Sequence, residues 1–214
     1  MPSPSISLKS HIIRQIQQAP PTFVWTAVDF INLGNRDAID KALQRLVHSN
    51  ELRRIDRGLY DQVRLDLLTG QLATPDYRSV IDAIGRRDQI RILIDGMTAA
   101  NELGLTTAVS GQVIVHTDAR LGTMKLGNLT IHFKFTAPSK LYWADRPAMR
   151  IVQALYWLRT TLKDNAQHEQ TMINTKLLQL LQNSPQQKEL LDDLRAGLHT
   201  LPSWMQSWIR KLLC

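Results

Sequence analysis

The sequence predicts an α+β protein: three N-terminal helices with a basic hairpin, a small α+β segment, and a helical C-terminal region. Three observations lead there. Apolar residues recur at helical spacing as far as His48, and two short β-type runs follow around a glycine turn. Residues 112–135 hold three strand-like runs, the last two joined by Gly127-Asn128, a turn that a two-residue hairpin favours. From Asp145 onward the leucines and isoleucines recur at helical spacing, with Ser184-Pro185 and Pro202 each opening a new segment.

Each N-terminal element has a local cause. Leu8, Ile12, Ile13 and Ile16 make one face of a first helix, capped by Ser7. Ala19-Pro20-Pro21 stops it, because proline lacks an amide donor and disfavours a helical residue before it. Phe23-Val24-Trp25 is extended. Thr26 then caps a brief second helix with Asp29 as the reciprocal acid, and Gly34 ends it. Asn35 caps a third helix to about His48, whose buried face is Ala38, Ile39, Ala42, Leu43, Leu46 and Val47. Leu52–Ile55 and Leu59-Tyr60 read as strands joined by Asp56-Arg57-Gly58.

Helices followed by a basic hairpin is the order of a winged helix-turn-helix, in which the third helix enters the DNA major groove and the wing touches adjacent backbone. Removing the buried positions leaves Arg36, Asp37, Asp40, Lys41, Gln44, Arg45 and His48 on the exposed face. Arginine pairs with guanine, and asparagine or glutamine with adenine, through two hydrogen bonds each. Lys41 and Arg45 suit phosphates, and Arg53, Arg54 and Arg57 charge the wing. The candidate DNA-contact set is Thr26, Asn35, Arg36, Lys41, Gln44, Arg45, Arg53, Arg54 and Arg57.

Composition narrows the classes. The chain has 214 residues and a formal charge of +7; residues 1–64 hold nine Lys and Arg against six acids, so the surplus is not one basic tail. With 43% hydrophobic and 21% charged residues it reads as globular rather than disordered. The one cysteine, Cys214, excludes an internal disulfide and a cysteine metal cage. No apolar run is long enough to cross a bilayer, and the first residues lack the pattern of a secretory leader, so a soluble cytoplasmic protein is expected.

The run TFVWTAVDFINLGNRDAIDKALQRLVHSNELRRIDRGLYD resembles the winged-helix domain of AbiEi-type antitoxins of type IV (AbiE) toxin–antitoxin systems. Asp29-Phe30, Gly34-Asn35-Arg36, Ala42-Leu43 with Arg45-Leu46, and Ile55 with Arg57-Gly58-Leu59-Tyr60 carry the likeness. It continues in GMTAANELGLTTAV at Gly96–Val109, Val113–Thr117 and LGNLTIHFKF at Leu126–Phe135, covering roughly residues 10–140. One departure is Ile94-Asp95 before Gly96, where the family pattern has a proline and a small residue. The resemblance implies a repressor of its own operon that binds inverted repeats in double-stranded promoter DNA, an arrangement open to a homodimer. It also implies a neutralising role toward a nucleotidyltransferase-like toxin, in phage defence. Carried over by position, Asn35, Arg36, Lys41 and Arg45 match the recognition helix, and Arg53, Arg54 and Arg57 the wing. Domains are expected at 1–68, the DNA-binding part, and 69–214, an antitoxin-like α+β part that is helical from about 145.

No phosphate-binding loop, dinucleotide fingerprint or nucleophile elbow occurs, and neither an enzyme, a cofactor nor a metal is expected. Asp82, Asp95, Glu102 and Asp118 are the acids a magnesium-dependent nuclease would use, and His116 and His132 lie in strands whose pairing in one sheet would bring them together. Asn101 is expected to bond loop backbone through its amide. The stripe Trp204, Met205, Trp208, Ile209, Leu212 and Leu213 reads as core or as a partner-binding face. The alternative function is a protein-interaction module in which the helical C-terminal region binds a partner and the winged helix is structural.

Overall fold

The computed structural model describes residues 7–66, 70–108, 110–164 and 167–213 of a mixed α+β chain, in which Cys214 lies outside the described residues. Two units form, 1–90 and 91–214.

In the first unit, α1 (Leu8–Gln18) starts where the Ser7 hydroxyl accepts the Ser10 amide, and it buries Ile12 and Ile16. Thr26 and Asp29 cap a 3-10 turn over Ala27–Leu33, ended at Gly34. The second helical element is thus a tighter 3-10 helix of seven residues rather than an α-helix. α2 (Arg36–His48) begins where Asn35 Oδ1 accepts the Ala38 amide, and it buries Ile39, Ala42, Leu43 and Leu46. These residues share one core with Ile12, Ile16, Trp25, Phe30, Leu52 and Tyr60. β1 (Arg53–Asp56) and β2 (Leu59–Asp61) form an antiparallel hairpin with an irregularity between Arg54 and Asp56. Gly58 sits in its turn at φ +71°, a conformation that costs residues with a Cβ. Trp25 exchanges two backbone hydrogen bonds with Tyr60, of 2.6 and 2.9 Å, so the extended run before the 3-10 turn ties the hairpin to the helices.

α3 (Tyr77–Asp88) belongs to this unit, although the sequence places a boundary after residue 68. Its Arg86 donates to Asp29 Oδ1 at 2.9 Å and to the Val24 carbonyl at 2.8 Å.

The second unit holds a four-stranded sheet of order β3 (Leu93–Ile94), β4 (Gln112–Thr117), β6 (Leu129–Phe135), β5 (Met124–Leu126). β5 and β6 are the expected hairpin, and β6 returns between β5 and β4 to run parallel to β4. α4 (Gly96–Glu102) lies against α5 (Met149–Trp157) at close range: a Cβ on Gly96 would stand 2.5 Å from the Gln153 carbonyl oxygen. Asp95 precedes Gly96 and caps the helix. Its Oδ1 caps α4 by accepting the Met97 and Thr98 amides, and its Oδ2 accepts the Thr98 hydroxyl and the Ile114 amide.

The helical region comprises α5, α6 (Arg159–Asp164), α7 (Gln167–Asn183), α8 (Gln187–Gly197) and α9 (Ser203–Leu213). Its residues share one core with β3 and α4, built around Leu155, Leu177, Leu194, Met205 and Ile209. Met205 and Ile209 are fully buried and Trp204, Trp208 and Leu212 pack against the same core, so these five residues of the α9 stripe are core, while the Leu213 side chain lies outside the described residues. Asp193 accepts from Arg146 and from the Ala148 amide, which pins the start of α5 to α8.

Candidate nucleic-acid interface

The outward face of α2 follows from its buried one. With Ile39, Ala42, Leu43 and Leu46 inward, helical geometry turns Asp37, Lys41, Gln44 and His48 outward as a stripe, with Arg45 on one flank and Arg36 and Asp40 on the other. Lys41, Gln44, Arg45 and His48 are exposed, and their side chains have no intramolecular partner among the described residues. Arg36 differs: its Nε donates to Asp40 Oδ2 at 3.0 Å, both side chains open to solvent. Asn35 spends its carbonyl oxygen on the cap and keeps its amide NH2 available.

The three hairpin arginines, equivalent in sequence, separate in space. Arg57 is exposed at the tip, where the Asp56 carboxylate accepts its backbone amide at 2.7 Å and leaves its guanidinium free. Arg54 is exposed and touches only the Asp56 carbonyl, at 3.3 Å. Arg53 instead forms a two-pronged pair with Asp61 across the strands, at 2.9 and 2.6 Å. Asp61 is buried, with its side chain 3% exposed against 25% for Arg53. These bonds hold the Arg53 guanidinium above its ordinary range. Arg53 is therefore a cross-strand tie, and its charge is already matched.

Thr26 requires a correction. It is fully buried, and both its amide and its hydroxyl donate to Asp29 Oδ2, at 2.7 and 3.0 Å. The cap that its sequence position announces is what removes it from any surface a duplex could reach.

Two arginines of α3 hold the 3-10 turn and the hairpin. Arg86 holds Asp29, and its guanidinium lies over the Phe23 ring at 4.6 Å. Arg87 donates to the Arg57 carbonyl at 2.6 Å while its other nitrogens bind Asp88, which raises its affinity for the proton. The hairpin tip is thus braced by α3. Gly85-Arg86-Arg87 carries no sequence signal for this, because the partners lie 30 and 57 residues away.

The other candidates are accounted for one by one. Asp95 is the cap already described, Glu102 binds Arg150 at 2.7 Å, and Asp118 accepts the Arg91 amide at 3.0 Å. Asp82 lies in the other unit. Among the described residues no group of three or more His, Cys, Asp or Glu could hold a metal ion. His116 and His132 lie on paired strands two register positions apart, and each meets a threonine, Thr136 at 3.0 Å and Thr123 at 3.3 Å. Asn101 donates its amide to the Ala108 carbonyl at 2.9 Å, the loop bond expected of it. Among the described residues no helix is long and apolar enough to cross a membrane.

What remains is a convex helix face with two unpaired cations, Lys41 and Arg45, and a hairpin with two more, Arg54 and Arg57. Such a pattern suits an extended polyanion better than a small ligand, which needs a concavity. No curated protein matches the chain. A family profile described as "Family of unknown function (DUF6088)" matches residues 11–188, which span both units, and the chain belongs to that family.

Proposed function

We propose that the protein is a DNA-binding autorepressor and the antitoxin of a type IV toxin–antitoxin system, with its first unit a winged helix-turn-helix. The observation that carries the DNA reading is the charge of Lys41, Arg45, Arg54 and Arg57, exposed on α2 and the hairpin with no ion-pair partner among the described residues, whereas Arg53, Arg86 and Arg87 are held by carboxylates. In this reading α2 lies in the major groove, Asn35, Arg36 and Gln44 meet base edges, and the four free cations meet phosphates. The antitoxin half rests on the resemblance across residues 10–140, which implies cytoplasmic action against a nucleotidyltransferase-like toxin.

Titrating the protein against the DNA upstream of its own gene at two salt concentrations tests the first half. Binding should weaken steeply with salt, and Arg36→Ala should lose preference for that DNA over random duplex. Equal binding of both duplexes by the parent protein refutes it. Co-expression with the product of the neighbouring gene tests the second half, with relief of toxicity expected.

A second reading, a protein-interaction module, is favoured by Met172, Leu178 and Leu180, large apolar side chains exposed on α7. Deleting residues 145–214 would not test it, since that removes most of the second unit's core. Leu178→Ser with Met172→Ser tests it instead: loss of neutralisation with DNA binding intact would favour the module.

A further inference from the structure

We infer that Asp40 is a positioning residue for guanine recognition: it holds the Arg36 guanidinium so that the two terminal nitrogens meet N7 and O6 of one guanine in the major groove. This rests on the DNA-binding reading proposed above, and adds to it the base that is read and the residue that prepares the reader.

Acids on this side of α2 need a reason, because a carboxylate there repels phosphate and lowers affinity for any duplex. Asp37 lies in the first turn, where the aligned peptide dipoles of the helix start favour a negative charge. Asp40 stands one turn further in, beyond that reach. Its carboxylate is engaged instead, with Oδ2 accepting Arg36 Nε at 3.0 Å.

An exposed pair four residues apart adds little to stability. Its effect on geometry is larger. Four residues along an α-helix advance by a full turn and about 40° more. From Arg36, on the flank of the helix, that step leads toward the outward stripe of Asp37, Lys41 and Gln44. The bond to Asp40 therefore draws the Arg36 guanidinium off the flank and toward the face that a groove would receive.

The same bond selects which edge of the guanidinium is offered. An arginine can grip a base through Nε and one terminal nitrogen, or through both terminal nitrogens. Asp40 occupies Nε and leaves the terminal edge, which presents two parallel donors. Guanine alone presents two adjacent acceptors in the major groove; adenine pairs an acceptor with a donor, and thymine and cytosine offer one polar group each. A guanidinium already held also loses less side-chain freedom on docking.

Binding of the full-length protein to the DNA upstream of its own gene tests this, with guanines replaced one at a time by 7-deazaguanine, which lacks the N7 acceptor. At least one replacement should weaken binding by the parent protein about fivefold or more. Arg36→Ala should be insensitive at that position. Asp40→Ala, which keeps the arginine, should cut the loss there to about twofold or less, while binding random duplex at least as tightly as the parent, since one repelling charge is gone. Arg36→Ala with Asp40→Ala should match Arg36→Ala alone, because Asp40 acts through Arg36. A parent protein that binds upstream and random duplex alike refutes the DNA-binding reading, and this inference with it. A parent that prefers the upstream DNA yet tolerates 7-deazaguanine at every position overturns the guanine inference alone. So does an Asp40→Ala protein that keeps the full sensitivity, or that binds both duplexes more weakly by the same factor.

Discussion

Replacing Arg53 and Arg54 by alanine, one at a time, separates two roles that their adjacent positions conceal. Arg53 makes two bonds to Asp61, at 2.9 and 2.6 Å, and the Asp61 side chain is only 3% exposed. Its removal strands a buried carboxylate. Breaking a fully buried pair by removing one partner costs about 3–5 kcal/mol. Arg53 is a quarter exposed, so water can reach part of the vacated space, and a loss near the low end, about 3 kcal/mol, is expected. In a unit of 90 residues that corresponds to a fall in melting temperature of more than about 10 °C. Arg54 loses one long bond to a carbonyl, so Arg54→Ala should move stability by no more than about 0.5 kcal/mol. On DNA the order reverses. Arg54→Ala should reduce the slope of log affinity against log salt by about 0.9, the value for one phosphate contact, whereas Arg53→Ala, assayed well below its melting point, should leave the slope unchanged. Melting followed by circular dichroism and fluorescence anisotropy on a labelled duplex read the two effects. An Arg53→Ala protein melting within about 2 °C of the parent, or losing salt slope as Arg54→Ala does, would refute the assignment of Arg53 to the hairpin rather than the interface.

Three further outcomes are expected. Lys41→Ala with Arg45→Ala should weaken binding to specific and random duplexes alike and lower the salt slope by about 1.8, with the fold unchanged by circular dichroism. Gly96→Ala should destabilise the second unit by about 1–3 kcal/mol in denaturant titration, since the new Cβ meets the Gln153 carbonyl oxygen at 2.5 Å and backbone cannot move aside. Burial, with Lys134 adding to it and Asp95 opposing, lowers His116 from its ordinary value near 6.5. The unfolded chain then takes up that proton first, so the stability owed to neutral His116 is full above about pH 6.5 and is lost as pH falls through the lower folded value. His116→Gln should flatten the decline in unfolding free energy between about pH 7 and 5; an unchanged slope would count against burial as the cause.

The elements of the first unit are legible in the sequence because each has a local cause. Ser7 and Asn35 cap the helices they precede, Thr26 and Asp29 form the reciprocal cap, Gly34 ends the turn and Gly58 takes the left-handed hairpin position. Such signals act over three or four residues, the range a linear reading covers. The face of α2 is equally readable, since the period of its apolar residues dictates which side chains point outward.

Partnership across the chain is a different matter. Three arginines within five residues look alike as text, yet Asp61, eight residues from Arg53, claims that one alone. Thr26 reads equally well as a cap and as a contact residue, and only its complete burial decides between them. α3 joins the first unit through Arg86 and Arg87, whose partners stand 57 and 30 residues away. By itself the sequence determined the helices, turns and caps and the total charge on the α2 face. The tertiary structure alone decided which of those charges are matched, because ion pairing depends on distances that close only when the chain has folded.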